Sequence, residues 1–284
     1  MLLQTARHIL TAAVLLWAPG ALAQADVPRS LTPVTDDVWR FDNNRHVGMV
    51  VDTGEGIVVA DPINASAAAW LESKIDQQFG RPVTHLIFSH HHGDHASGGE
   101  VFNDTALVIA HETFMAEAAK RSVDVPQPDL TFRKSMTFRI GMKTFEFVHV
   151  GAGGHSDDLI VTVVRPDNVA FAVDFVSVKR LPYRTIPGGS VEALIDQIEV
   201  LEALDFEILL PGHGKTGVKE DATLSRIYLQ DLRAVVKKGM AAGKSRDAIV
   251  ADARSALAPA YGTWALWEQW LPDNVDGVIR RLKE

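Results

Sequence analysis

The loop Ser89–His95 carries a run of metal-ligand side chains that constrains this chain more than any other feature. It reads Ser-His-His-His-Gly-Asp-His and places His90, His92, Asp94 and His95 within six residues. Imidazole and carboxylate groups are the usual protein ligands of zinc and similar divalent metals. Because one tetrahedral ion cannot easily take all four donors from a single short loop, the spacing favours two metal ions over one.

The residues around this run place it at the end of a strand. Val83–Phe88 is apolar enough to predict a buried strand, and the glycines in Gly93–Gly99 predict a loop. The donors are therefore expected at the carboxyl end of a strand, where α/β enzymes tend to place their chemistry. The alternative is an exposed His-rich turn that binds no metal, and further donors later in the chain argue against it.

Three later segments each place one donor where a strand meets a loop. His155 follows a Gly-rich turn, Asp174 ends the apolar strand Val169–Asp174, and His213 stands between two glycines after another strand. Alone, Asp174 is typical of a strand cap or salt-bridge partner, and His213 of a surface histidine. Their occurrence together, in this order, predicts that they complete the metal site.

With these motifs the chain resembles the metallo-β-lactamase superfamily, over about residues 38–254. The resemblance implies an α/β fold, the αββα four-layer sandwich, with two metals at one edge of the two sheets. The ligands it implies are His90, His92 and His155 for the first ion, Asp94, His95 and His213 for the second, and Asp174 bridging both. Asp174 stands where the best-known antibiotic-hydrolysing members place Cys or use another ligand arrangement. In this it resembles the glyoxalase II and lactonase branches.

The same resemblance implies a zinc-dependent hydrolase in which a metal-bridging hydroxide attacks the carbonyl of a β-lactam, lactone, ester or thioester. Two Zn²⁺ ions are expected, with iron or manganese as alternatives, and Asp94 or Asp174 is the expected catalytic proton carrier. Two other functions stay open. One is a mononuclear-iron sulfur oxygenase resembling persulfide dioxygenases, and the other is a non-enzymatic periplasmic metal-binding accessory protein.

Charge favours a small anionic substrate. Two divalent ions outweigh two carboxylates and one hydroxide, so the site keeps net positive charge. Lys179 or Arg180, on the loop after Asp174, could bind a substrate carboxylate, although solvated surface charge explains both slightly better. Asp61 and Asp158 are predicted to support the ligand histidines, and Asp61 could instead cap the following helix.

Composition narrows the class of protein. The formal net charge is −8 and no Lys/Arg run is present, which argues against a nucleic-acid partner. The chain has no cysteine and so has neither disulfides nor thiolate ligands. Residues 1–23 read as a signal peptide, with Arg7, the apolar stretch Ile9–Ala18 and the cleavage motif Ala21–Ala23. We therefore expect a periplasmic or secreted protein with no membrane segment after cleavage.

Residues 24–284 are expected to form a single domain with a helical C-terminal region from Lys219 onward. Trp264, Trp267 and Trp270 recur every three residues, which predicts an apolar helix stripe that packs in the core or against a second copy. Pro272 is expected to break this helix from the next one. Residues 122–130, which contain two prolines, are expected to form a connecting loop.

Overall fold

Two β-sheets packed face to face form the centre of the protein. The computed structural model describes residues 27–283, so the predicted signal peptide lies outside the described residues. The first sheet has seven strands, which follow one another across the sheet in chain order. They are β1 Arg29–Pro33, β2 Val38–Asn43, β3 His46–Asp52, β4 Ile57–Ala60, β5 Val83–Ile87, β6 Leu107–His111 and β7 Leu130–Phe132.

The second sheet has six strands. They are β8 Ser135–Ile140, β9 Lys143–His149, β10 Ile160–Arg165, β11 Val169–Ala172, β12 Ile208–Pro211 and β13 Gly217–Val218. Their order across the sheet is β13-β12-β11-β10-β9-β8. All pairs are antiparallel except β11 with β12, which run parallel.

The helices cover the outer faces of both sheets. They are α1 Ala65–Phe79, α2 Gly93–Ala96, α3 Phe114–Lys120, α4 Val191–Ala203, α5 Lys219–Ala241, α6 Arg246–Tyr261 and α7 Trp267–Arg281, with a short 3-10 turn at Gly99–Phe102. α1 and α3 pack on the first sheet, and α4 to α7 on the second. This arrangement confirms the predicted αββα sandwich. Within residues 27–283, no helix combines the length and apolar composition that a membrane crossing requires.

Alternation along the strands produces these layers. In β10, Ile160 and Val164 join the apolar cluster between the two sheets, whereas Val161 and Val163 join the cluster beneath the helices. Successive side chains of a strand face opposite sides of its sheet, so a strand that is apolar on both faces must be covered on both. The sequence of β10 therefore requires a helical layer outside the second sheet.

Parallel strands bring several loops to one edge of the sandwich. β4, β5 and β6 run parallel in the first sheet, and β11 and β12 run parallel in the second. The segments that leave β4, β5, β11 and β12 therefore emerge at the carboxyl ends of their strands. These four segments carry Asp61, the loop Ser89–His95, Asp174 and His213.

Two local expectations were wrong, and two edge strands were not predicted. Residues 122–129 form the expected connecting loop, but Leu130 already begins the short strand β7, and β1 was not predicted because Arg29–Pro33 has little apolar content. Pro272 lies inside α7 instead of ending a helix. A proline leaves the carbonyl four residues earlier without its donor, and here that residue is the exposed Glu268. The predicted helical stripe is also shorter than expected, because Trp264 is buried but lies in the turn before α7, which carries only Trp267 and Trp270.

The packing between the sheets yields a stability prediction. Phe147 on β9 is fully buried in the inter-sheet cluster. Phe147→Ala should lower the free energy of unfolding by about 3–5 kcal/mol, because a cavity replaces the ring. Urea denaturation of the metal-free protein measures this. Met142→Ala, at a side chain that is 67% exposed, should change it by less than about 0.5 kcal/mol. Equal effects of the two substitutions would contradict the core assignment.

Candidate metal centre

Two groups of donor atoms meet at the edge where the strand ends converge. In each group the candidate ligand atoms all lie within 4.8 Å of one another. The first group is His90, His92, His155 and Asp174, and the second is Asp94, His95, His213 and Asp174. The structure thus brings together all seven donors that the sequence predicted, and it places Asp174 in both groups.

The spacing of the nitrogens fits a shared tetrahedral ion. His155 Nε2 lies 3.3 Å from His90 Nε2 and 3.1 Å from His92 Nδ1. In the second group, His95 Nε2 lies 3.4 Å from His213 Nε2. Zn–N bonds of about 2.0–2.1 Å at tetrahedral angles separate the nitrogens by roughly 3.3 Å. The donor set and its spacing therefore fit zinc in both groups.

Asp174 joins the two groups through its carboxylate. Its oxygens lie 3.1 Å from His213 Nε2 and 3.3 Å from His95 Nε2. They lie 3.6 Å from His155 Nε2 and 3.8 Å from His90 Nε2. Burial opposes ionisation, but the charges and hydrogen bonds of His95 and His213 hold the pKa of Asp174 well below its usual value. The side chain is therefore a carboxylate that can contact both metal positions.

The backbone at Asp174 and the chain beside it are unusual. Asp174 has φ 70°, a left-handed conformation that aspartate tolerates better than most residues. Gly212 lies against it, and a Cβ added there would meet Val173 Cγ1 at 2.5 Å and Asp174 Oδ1 at 2.9 Å. The glycine before His213 therefore allows the β12 loop to approach the bridging carboxylate.

Asp61 supports one histidine of each group. It is fully buried and accepts hydrogen bonds from Ser89 N at 2.9 Å and Ser89 Oγ at 2.6 Å. Ser89 Oγ in turn lies 3.0 Å from His90 Nδ1, and Asp61 Oδ2 lies 3.3 Å from His95 Nδ1. A histidine that donates through Nδ1 keeps Nε2 free for a metal. The supporting role predicted for Asp61 agrees with these contacts, whereas the alternative as a helix cap is wrong because Asn64 caps α1.

Backbone and amide groups hold two further ligands. His213 Nδ1 lies 2.7 Å from the carbonyl oxygen of Arg45. The backbone N–H of His155 donates to Gln197 Oε1 at 2.9 Å, while Gln197 Nε2 donates to the carbonyls of Gly151 and Ser156. Gln197 is buried on α4 and fixes the loop that carries His155. Its role could not be predicted from the sequence, because a glutamine on an amphipathic helix is common.

Two polar pairs differ from what the sequence predicted. Asp158 lies 2.9 Å from Nδ1 of His91, a buried histidine outside both donor groups, so it supports the ligand loop and not a predicted ligand. His46, at the start of β3, was not assigned a role. Its Nε2 lies 3.3 Å from Asp94 Oδ2, and its ring contacts that of His213 with centroids 4.9 Å apart. Its place in a polar hairpin tip was the available signal.

Comparison with known proteins agrees with this geometry. A sequence model of the metallo-beta-lactamase superfamily matches residues 42–213, which include all seven donors. The chain belongs to this superfamily. A metallo-beta-lactamase type 2 from Bacillus sp. (strain 170) is 24% identical over 176 residues, 61% of this chain and 68% of that protein. The 2,4-dinitroanisole O-demethylase subunit alpha of Nocardioides sp. (strain JS1661) is 23% identical over 64% of this chain and 56% of its own length.

Solved structures support the same fold. A metallo-beta-lactamase from Pontibacter korlensis superposes with a TM-score of 0.64 at 24% identity, covering 72% of this chain and 99% of that one. A metallo-beta-lactamase from Hirschia baltica superposes with a TM-score of 0.61 at 20% identity, covering 70% of this chain and 97% of that one. Helices α5 to α7 follow the segment that the superfamily sequence model matches.

The two donor groups of this superfamily member differ in their affinity for protons. In the first, burial and the neighbouring imidazoles lower the pKa of His90 and His155, and that of His92 to about 3. In the second, burial disfavours the charged form of His95, but Asp174 and Asp61 raise its pKa well above the usual value. Burial also disfavours the charged form of Asp94, yet its pKa is lowered to about 2 by the hydrogen bond from His46. Only the second group therefore holds a histidine that binds a proton at neutral pH.

We expect the purified protein to bind about two zinc ions per chain, one for each donor group. His92→Ala removes a donor from the first group alone and His213→Ala from the second alone, so each variant should retain about one ion. Elemental analysis after dialysis measures this, with Asp205→Ala, at a side chain 95% exposed, as the control that keeps both ions. A single iron in the unaltered protein, with no second metal, would contradict the two-metal assignment.

Zinc affinity should depend on pH in the second group only. Below its raised pKa, His95 must lose a proton before Nε2 can bind metal, so the affinity should fall about tenfold per pH unit from pH 7 to pH 5. The first group should change little over this range, because the pKa of His92 is about 3 and those of His90 and His155 are also lowered. Chelator competition with the His213→Ala and His92→Ala variants separates the groups. Parallel pH slopes in both would show this assignment to be incorrect.

Proposed function

We propose that this chain is a zinc-dependent hydrolase that cleaves a bond at a carbonyl carbon. The observation that carries the proposal is one cavity of about 490 Å³ lined by donors of both groups. His92, His155, Asp94, His213 and the shared Asp174 all line it. A substrate in this cavity would reach both metal positions at once.

Zinc held by these residues supplies Lewis acidity and acidifies a water molecule. The protein residues hold the ions, orient the substrate and move protons. No cysteine is present to act as a nucleophile, and none is needed for this chemistry. The complete second group favours a hydrolase over the mononuclear oxygenase, since the oxygenase would use a single ion.

Asp94 is the carboxylate we assign to proton transfer. Its side chain is 50% exposed, whereas that of Asp174 is 9% exposed and surrounded by imidazoles. A carboxyl group with a pKa of about 2 does not retain a proton, so a proton taken up by Asp94 must pass on quickly. His46 Nε2 donates to Asp94 Oδ2 at 3.3 Å and so favours the ionised carboxylate, while the exposed half of the Asp94 side chain gives the proton a route to solvent. In this proposal Asp174 serves mainly to hold charge between the metal positions.

β-Lactams are the first substrates to test. The relative from Bacillus sp. (strain 170) carries the name metallo-beta-lactamase type 2. The predicted signal peptide would also export the chain to the compartment where β-lactams act. The bridging Asp174 favours lactones, esters and thioesters by its resemblance to other branches, so these belong in the same panel.

The zinc-loaded protein should hydrolyse at least one of nitrocefin, a homoserine lactone, a glutathione thioester or an aryl ester. Asp94→Asn should lower kcat by roughly 10²- to 10⁴-fold, because it removes the proton carrier, and it should also weaken zinc binding in the second group, of which Asp94 is a donor. Asp174→Asn should lower both turnover and zinc content, since it removes the charge shared by the two groups. Initial rates at fixed zinc measure these effects, with Asp205→Asn as the control. Turnover of phosphodiesters alone would reject the carbonyl assignment.

A further inference from the structure

Three arginines line the cavity without a carboxylate partner. Arg45, Arg121 and Arg180 are all cavity residues. Across residues 27–283, the side chains of these three take part in no hydrogen bond or ion pair with the protein. Elsewhere in the fold arginines are commonly paired, as Arg226 is with Glu202 and Arg246 with Asp276. Unpaired guanidinium groups gathered at one cavity indicate that the anion they bind comes from outside the chain.

Arg180 is the most enclosed of the three. It is half-buried, and its guanidinium carbon lies 4.8 Å from the ring centre of Trp270 on α7. Burial lowers the pKa of Arg180. The negative charge of Asp174 raises this pKa, and the positive charge of Arg45 lowers it further. Arg180 thus lies within electrostatic reach of both the bridging carboxylate and a second arginine. Lys179, the other cation that the sequence suggested, is exposed and does not line the cavity.

The wall beside Arg180 is aromatic. Tyr183 is 54% exposed although it is a large aromatic side chain, and its ring meets Trp270 edge-on with centroids 5.2 Å apart. Ile186 and Leu194 line the same cavity. An exposed tyrosine edge beside a buried tryptophan offers a surface on which a flat apolar group can pack.

Helix α7 fixes this wall in place. Asn274 Nδ2 donates to the carbonyls of Pro182 and Arg184, and Arg281 donates to several carbonyls of residues 185–189. Gly277 allows the close contact, because a Cβ there would meet the Thr185 carbonyl oxygen at 2.2 Å. The loop is also strained, since Ile186 is a β-branched residue with φ 52°. A loop held in this way presents Arg180 and Tyr183 in a fixed arrangement.

We propose that this cavity selects carbonyl compounds that carry a carboxylate beside a flat apolar group, with Arg180 binding the carboxylate and Tyr183 and Trp270 packing on the flat group. The inference rests on the proposed hydrolase function, whose reactive groups lie in the same cavity. A planar guanidinium can donate two parallel hydrogen bonds to a carboxylate. Its contact with the Trp270 ring restricts its orientation beforehand, which lowers the entropic cost of binding.

Calorimetric binding tests the subsite without requiring turnover. The zinc-loaded protein is titrated with benzoate, with benzamide as the neutral ring and acetate as the anion without a ring. Benzoate should bind about tenfold more tightly than either. Arg180→Gln should weaken benzoate binding by about 10- to 100-fold and leave benzamide unchanged, while Tyr183→Ala should bring benzoate close to acetate. Lys179→Gln makes the same charge change one residue away and should leave all three affinities unchanged.

Equal benzoate affinity in the unaltered protein and the Arg180→Gln variant would overturn the subsite, because the carboxylate would then be binding at the metal groups. An equal loss in Lys179→Gln would also overturn it, since the effect would then come from net charge alone. Zinc content is measured in every variant and should stay at the level of the unaltered protein.

Kinetics then separate this inference from the proposed function. With nitrocefin and its methyl ester as substrates, Arg180→Gln should raise KM for the free carboxylate by about 10- to 100-fold and leave kcat/KM for the ester unchanged. Hydrolysis of both with no response to Arg180→Gln would refute the subsite and leave the hydrolase intact. Benzoate binding that depends on Arg180, with no hydrolysis of any panel compound, would refute the hydrolase and leave the subsite.

Discussion

The buried carboxylate of Asp174 is the constraint on which the arrangement of this edge depends. Removing a carboxylate from water is costly unless opposite charge compensates. Here the compensation comes from imidazoles of both donor groups, all within 3.8 Å of its oxygens. Imidazoles are cationic only when protonated, and only the pKa of His95 is raised among those whose pKa shifts are resolved. Divalent cations are therefore better suited than protons to compensate the remaining negative charge of the Asp174 carboxylate.

That constraint also explains the support around the ligands. Asp61 contacts Ser89 and His95, so one buried carboxylate fixes a histidine of each donor group. It follows β4 directly, and β4 runs parallel to β5, which precedes the ligand loop. Backbone topology thus places both the ligands and their support at the same edge before any side-chain detail is considered.

Local sequence was sufficient for the donors and most strands. The run from Ser89 to His95 places four metal-ligand side chains in one short loop, and a glycine beside each later histidine indicates a turn. The donors could therefore be identified from a few neighbouring residues. The αββα sandwich followed from the resemblance to the superfamily. The edge strands β1 and β7 were not predicted, because short, half-exposed strands lack a clear alternation of apolar and polar side chains.

The contact between Arg180 and Trp270 could not be predicted in this way, although Arg180 was one of the two sequence candidates for binding a substrate carboxylate. Arg180 and Trp270 are far apart in sequence and meet only because α7 packs against the loop after β11. The donors lie within the segment shared with the superfamily, whereas α7 lies beyond it. The proposed carboxylate subsite therefore combines Arg180 and Tyr183, from the shared segment, with Trp270 from a helix outside it. A change confined to α7 would alter the ring beneath Arg180 and leave the metal ligands unchanged, so exchanging this helix between relatives offers a direct way to vary the subsite.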